Sequence, residues 1–202
     1  AFGVGPLSVR DGLRGFRPDP HRIAEVATID GVRYVNDSKA TNPHAAEAAL
    51  TSFASVVWVA GGQLKGADID PLVEKVAGSL RGVVLIGVDR ARIAEALARH
   101  APDVPVRDLG GADTVGMSSD PADSGAPAAA PTEAVAAPIE ALDPAEGAER
   151  VMEAVVAAAA QLARPGDVVL LAPAAASLDM FPDYGARGRA FEAAVRRRQG
   201  GR

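Results

Sequence analysis

Short apolar runs alternate with helix-length segments along most of this chain, and that alternation constrains the fold more than any other feature. Ser55–Ala60, Gly82–Ile86 and Asp167–Ala172 are strand-length runs dominated by Val, Leu, Ile and Ala. Helical patterns fill the intervals: Pro43–Leu50, Ile69–Leu80, Arg90–His100 and Glu146–Ala163, with Ala186–Arg198 last. Strands buried on both faces and joined by helices require crossover connections, so the reading is α/β with a Rossmann-like, mostly parallel sheet flanked by helices. A β-hairpin precedes it. Glu25–Ile29 and Val32–Val35 flank Asp30-Gly31, a two-residue hairpin turn signal. Val104–Asp108 reads as a further short strand.

Two segments fall outside this pattern. Residues 1–20 have no sustained period and are broken by Gly and Pro, which reads as a tail or domain junction. Residues 112–138 are rich in Ala, Pro, Ser, Gly and Asp and carry no aromatic, so they are expected to be a disordered surface insertion. The 48% hydrophobic content allows a core, but with only 4% aromatics it must be built from Ala, Val and Leu. A net charge of -5 without a basic stripe argues against nucleic-acid binding. The dense run Arg196-Arg197-Arg198 ends the last helix, where it complements the helix dipole. Without Cys there are no disulfides or thiolate metal sites. No run is long enough to span a membrane and no signal-peptide pattern opens the chain, so a cytoplasmic protein is expected.

Ligands of open α/β sheets bind beyond the carboxyl ends of the strands. Four polar clusters follow the predicted strands: Asp37–Asn42, Gly61–Asp68, Gly87–Arg90 and Pro173–Tyr184. They combine lysines, hydroxyls and glycines with helix starts, a setting suited to carboxylate or phosphate. Singly, each has a plainer reading. Gly61-Gly62 suits a tight turn, Lys65 a solvated surface position, and Ser177 a helix cap. His21, His44 and His100 lack metal-ligand spacing. Neither Gly-x-Gly-x-x-Gly nor a P-loop is present, so much of any nucleotide site must lie elsewhere.

Taken in order, the motifs are more specific. His21-Arg22-x-x-Glu25-Val26 leads to Gly31-Val32 and then to the run Asn36-Asp37-Ser38-Lys39-Ala40-Thr41-Asn42. Gly61-Gly62-x-x-Lys65-Gly66-x-Asp68 follows. Last comes Ser177-Leu178-Asp179-Met180-Phe181-x-x-Tyr184-x-x-Arg187-Gly188-x-x-Phe191. This series resembles the C-terminal domain of the Mur ligases, over about 21–109 and 145–198, and within them the D-glutamate-adding members. The Asp-Asn-Pro-Arg motif of the diaminopimelate- and lysine-adding relatives is absent.

The resemblance implies an amide-forming ligase that joins D-glutamate to UDP-N-acetylmuramoyl-L-alanine through an acyl phosphate, with ATP and Mg²⁺ held mainly by a central domain. Residues 1–20 would end that central domain and 21–202 would form the amino-acid-binding domain. The chain alone would be inactive, and a monomer is expected. By resemblance Thr41, Lys65, Ser177, Leu178 and Tyr184 hold D-glutamate, Lys39 and Lys65 serve the chemistry, and Arg22 and Asp37 bind nucleotide. Asn36, Asn42 and Asp179 brace turns. Where the family often has Cys, this chain has Ala175. The alternatives are a folylpolyglutamate-type ligase, against which the Ser38–Asn42 run argues, and a non-catalytic module that keeps the fold.

Overall fold

Asp30 and Gly31 both adopt positive φ, 51° and 76°, as the tight hairpin turn between two right-twisted strands requires. In the computed structural model, which describes residues 3, 5–15, 19–110 and 144–201, this turn joins β1 (Ala24–Ile29) to β2 (Val32–Asn36). The chain continues through α2 (Pro43–Leu50), β3 (Val56–Gly61), α3 (Asp70–Val76), β4 (Leu80–Ile86), α4 (Arg90–His100) and β5 (Val106–Asp108). It ends with α5 (Pro144–Leu162), β6 (Val168–Leu171) and α6 (Tyr184–Gly200). The segment 112–138 lies outside the described residues.

The sheet order is β1-β2-β6-β3-β4-β5. Every neighbouring pair is parallel except β1 with β2. The carboxyl ends of β2, β6, β3 and β4 therefore meet at one edge. Alternate residues supply two cores. Val35, Trp58, Ala60, Leu85 and Leu170 pack with α2, α3 and α4 on one face. Tyr34, Val57, Val59, Ile86 and Leu171 pack with α5 and α6 on the other. Each such large apolar side chain taken fully from water stabilises the fold by roughly 1.5–3 kcal/mol. Trp58 keeps its indole N–H satisfied by donating to Ala172 O at 2.7 Å.

Four expectations are corrected. Residues 6–15 form a helix, α1 (Pro6–Gly15), rather than an irregular tail; none of its residues is buried. The helix expected over Ile69–Leu80 stops at Val76, passes through a 3₁₀ turn at Ala77–Ser79, and gives Leu80 to β4, where it pairs with Val56. Gly78 and Ser79 are weak helix formers, while Leu80 gains a ladder partner. No helix begins at Ser177. Residues 177–183 make turns, and α6 starts at Tyr184 because the Asp183 side chain accepts from Ala186 N at 2.6 Å. Nor is the terminal arginine run free to serve only the dipole: Arg197 bridges to Glu149 and Glu153 of α5, and Arg196 to Glu192. Among the described residues no helix is long and apolar enough to cross a membrane.

Candidate functional site

Backbone strain concentrates where the parallel strands end. Among the described residues, five non-glycine positions have positive φ: His21, Ile23, Asp30, Lys65 and Ala174. Only Asp30 belongs to the hairpin turn. The other four surround the carboxyl edge of the sheet, and strain persists only where surrounding structure fixes it.

The segment preceding β1 wraps over the turn that follows β2. Ile23 N donates to Asp37 Oδ1 at 3.1 Å, and Lys39 N donates to His21 O at 3.2 Å. Asn36 braces this region: its Oδ1 accepts from Ser38 N at 3.0 Å and its amide donates to Glu192 Oε1 at 2.8 Å. The His21 ring lies against Asn36 at 2.8 Å. Gly188 lets the two meet, because a Cβ there would stand 2.5 Å from His21 Nδ1. Asn42 closes the turn as the cap of α2, accepting from Ala45 N at 2.9 Å.

The loop after β6 is tied on both sides. Ala174 N donates to Ala40 O at 3.0 Å. On the other flank Gln63 and Ala176 exchange backbone hydrogen bonds, 2.9 Å each way, as a small antiparallel bridge. Gly62 makes that approach available: at φ 129°, a Cβ would lie 2.1 Å from Ala176 O. Asp89 then accepts from Leu64 N at 2.7 Å, and Asp179 accepts from Val88 N at 2.9 Å. Three loops are thereby locked together beside the turn after β2.

This framework brings Thr41, Ser177, Leu178 and Tyr184 around one open cavity of about 180 Å³, with Ala176 and Asp183 completing its wall. The Thr41, Ser177 and Tyr184 hydroxyls have no hydrogen-bond partner among the described residues. Pockets that enclose drug-sized ligands run to roughly 300–1,000 Å³, so this one suits a small polar molecule. A larger cavity of about 790 Å³ lies beyond the Leu178–Pro182 turn, against α5 and α6. Leu178 is the only predicted site residue that lines it. The smaller cavity is the better candidate, because unpartnered hydroxyls converge on it.

The lysines are placed differently. Lys65 does not line the cavity. It is exposed at φ 52° on the loop bonded to Ala176 and has no ion pair among the described residues. Lys39 is half-buried, and its ammonium is 2.5 Å from Asp19 Oδ2, which lowers the Asp19 pKa. Arg22 is exposed nearby and acts weakly on Asp37.

Asp37 is 5% exposed. Burial raises its pKa; the Ile23 N–H and Arg22 offset this only in part. Its second carboxylate oxygen retains acceptor capacity, which fits a sugar hydroxyl. Among the described residues no group of three or more His, Asp or Glu could hold a metal ion.

Sequence reasoning missed Arg187 as a constituent of this edge. Its guanidinium is buried and donates to Ser38 Oγ, Ser38 O and Ala175 O at 3.0–3.1 Å. Its place in the last motif was the available signal.

The family model described as Mur ligase, glutamate ligase domain, matches residues 21–175. The chain is 54% identical over 196 residues to the UDP-N-acetylmuramoylalanine--D-glutamate ligase of Streptomyces avermitilis, covering 97% of this chain and 34% of that protein. It is 53% identical to the ligase of the same name from Thermobifida fusca, covering 97% and 35%. For that of Mycolicibacterium smegmatis the figures are 50%, 97% and 39%. The chain thus spans about a third of the length of the curated relatives it matches.

Proposed function

The chain belongs to the Mur ligase family through its glutamate ligase domain, and from that premise we propose that it presents D-glutamate in an ATP-dependent ligase acting on UDP-N-acetylmuramoyl-L-alanine in the cytoplasm. One observation carries the reading: Thr41, Ser177, Leu178 and Tyr184, drawn from opposite halves of the chain, line one small cavity.

In this reaction ATP converts the substrate carboxylate to an acyl phosphate, which the amine of D-glutamate attacks as phosphate leaves. This chain's task is to hold the amino acid by its two carboxylates and leave its amine free. Thr41 and Ser177 donate hydroxyl hydrogen bonds, worth roughly 1.5–3 kcal/mol each to a charged acceptor. Lys65, exposed, without an ion pair among the described residues and tethered through the Gln63–Ala176 bridge, is assigned the ammonium that meets one of the carboxylates. Leu178 and Tyr184 wall it. Lys39 serves the same anions once it leaves Asp19. Asp37 accepts from the nucleotide ribose, and Arg22 meets its phosphates. Magnesium is assigned no ligand from the described residues. Orienting the amine toward the acyl phosphate converts an encounter of two anions into an intramolecular step, which lowers the barrier by up to roughly 7–11 kcal/mol.

The test is phosphate release by the full-length ligase that carries this chain. The assay contains ATP, Mg²⁺ and UDP-N-acetylmuramoyl-L-alanine, with D-glutamate, L-glutamate or L-lysine offered separately. Turnover with D-glutamate alone, and a D-glutamate KM raised about tenfold or more in Lys65→Ala, is the expected result. Equal use of the three amino acids, or an indifferent Lys65→Ala, would refute the assignment.

A further inference from the structure

We propose that Arg187 is a positioning residue that sets the separation of the cavity's two walls; the inference rests on the reading of that cavity as the amino-acid site. Arg187 lies in the first turn of α6, one turn beyond Tyr184, and is 1% exposed. It does not line the cavity. Its planar fork reaches two segments far apart in sequence. Nε donates to Ser38 Oγ at 3.0 Å and one terminal nitrogen to Ser38 O at 3.0 Å. The other terminal nitrogen donates to Ala175 O at 3.1 Å. Ser38 begins the turn that carries Thr41. Ala175 stands two residues before Ser177. The Ser38 hydroxyl, accepting from Arg187, donates in turn to Tyr184 O at 2.7 Å. One guanidinium therefore joins all three segments that supply the wall.

The energetics favour this role over packing alone. Among the described residues no carboxylate lies within ion-pair distance of the Arg187 guanidinium. Burial lowers its pKa to about 10, with Asp179 acting in the opposite direction, so it stays charged at neutral pH. A buried cation that rests on neutral acceptors is costly, and an apolar side chain of similar volume would fill the space more cheaply. What such a side chain cannot do is hold three acceptors in a fixed plane, and neither can the point charge of a lysine.

The test uses the full-length ligase with Arg187→Lys and Arg187→Met, measuring KM for D-glutamate and ATP separately, kcat, and the thermal midpoint. Both variants should raise the D-glutamate KM by about tenfold or more, with Met the worse. The ATP KM and the kcat at saturating D-glutamate should stay close to those of the unmutated enzyme. A merely structural role would instead lower kcat for all substrates in step with the folded fraction and leave every KM unchanged. That pattern, or no change at all, would overturn the proposal. If neither variant folds, Ser38→Ala decides: it removes the hydroxyl link alone, and an unchanged D-glutamate KM would overturn the proposal. An unmutated enzyme that does not use D-glutamate would instead overturn the reading of the site, and the inference with it.

Discussion

Two buried aspartates stand at opposite ends of the same sheet, and the protein treats them in opposite ways. Asp167, at the amino end of β6, is 4% exposed; Asp37, at the carboxyl end of the adjacent β2, is 5% exposed. Burial raises the pKa of each. At Asp167 it is outweighed by hydrogen bonds from Ser55 and from Arg164 N (2.8 Å), and by Arg81 (3.2 Å), so the pKa is lowered. At Asp37 a single N–H and the more distant Arg22 do not compensate, and the pKa is raised. With similar solvent exposure, Asp167 has partners enough to overcome desolvation, whereas Asp37 sits deeper, has fewer partners and keeps a raised pKa. Of the remaining buried polar residues, His21, Asn36, Ser38, Ser177 and Arg187 all lie at Asp37's end.

The largest stability effect should therefore come from Asp167. Asp167→Ala leaves a buried N–H, a hydroxyl and a guanidinium without their acceptor, and should cost on the order of 3 kcal/mol. Urea unfolding of the 202-residue chain measures this. Because its folded pKa is lowered, Asp167's contribution is present above the ordinary aspartate range and is lost as pH falls through the folded-state value. A cost below about 1 kcal/mol would remove one side of the comparison.

Asp37 should behave in the opposite sense. Its raised pKa means that its contribution to stability is present below the ordinary aspartate range and is lost as pH rises through the folded-state value. At neutral pH the ionised carboxylate is a burden. Asp37→Asn keeps an acceptor for Ile23 N and removes the buried charge, so the thermal midpoint should rise at pH 7. In the full-length ligase the same change should raise the ATP KM by roughly tenfold, through loss of a charged hydrogen-bond acceptor. A variant that is both less stable and catalytically normal would mean that Asp37 is structural after all.

Local pattern carried the fold and much of this edge. Period and turn chemistry located β1 to β4, α2 and α4 within a residue or two, and the rule that ligands gather beyond strand ends brought the four polar clusters together. The motif resemblance then picked out Thr41, Ser177, Leu178 and Tyr184, which do share a cavity. The rest depends on partners that sequence proximity does not reveal. Asp19 lies twenty residues from Lys39 and takes up its charge. Arg187 joins Ser38 and Ala175 through side-chain geometry that no periodicity encodes. Asp179 braces a turn as expected, but its partner, Val88 N in the loop after β4, lies 91 residues away. The helix at 6–15 went unread because Gly12 and Gly15 interrupt a short segment; none of its residues is buried, and Leu7, Val9 and Leu13 stand exposed.

A third aspartate sharpens the comparison by separating a lowered pKa from burial. Asp70, at the start of α3, accepts from Arg99 at 2.8 and 2.9 Å and meets His100 Nε2 at 2.8 Å. The hydrogen bonds from Arg99 and then His100 lower its pKa, as satisfied partners do for Asp167. Its carboxylate remains in contact with solvent, however, and so does Arg99; their side chains are 34% and 52% exposed. Water therefore replaces each partner when the other is removed, and salt screens what remains. Any contribution it does make is present above the ordinary aspartate range and fades as pH falls, the same sign as for Asp167. Asp70→Asn should leave the thermal midpoint at pH 7 within about 1–2 °C of the unmutated chain. A loss comparable to that of Asp167→Ala would mean that partners alone decide which aspartates hold this fold. A negligible change beside a large Asp167 loss would show that partners count only where water is excluded.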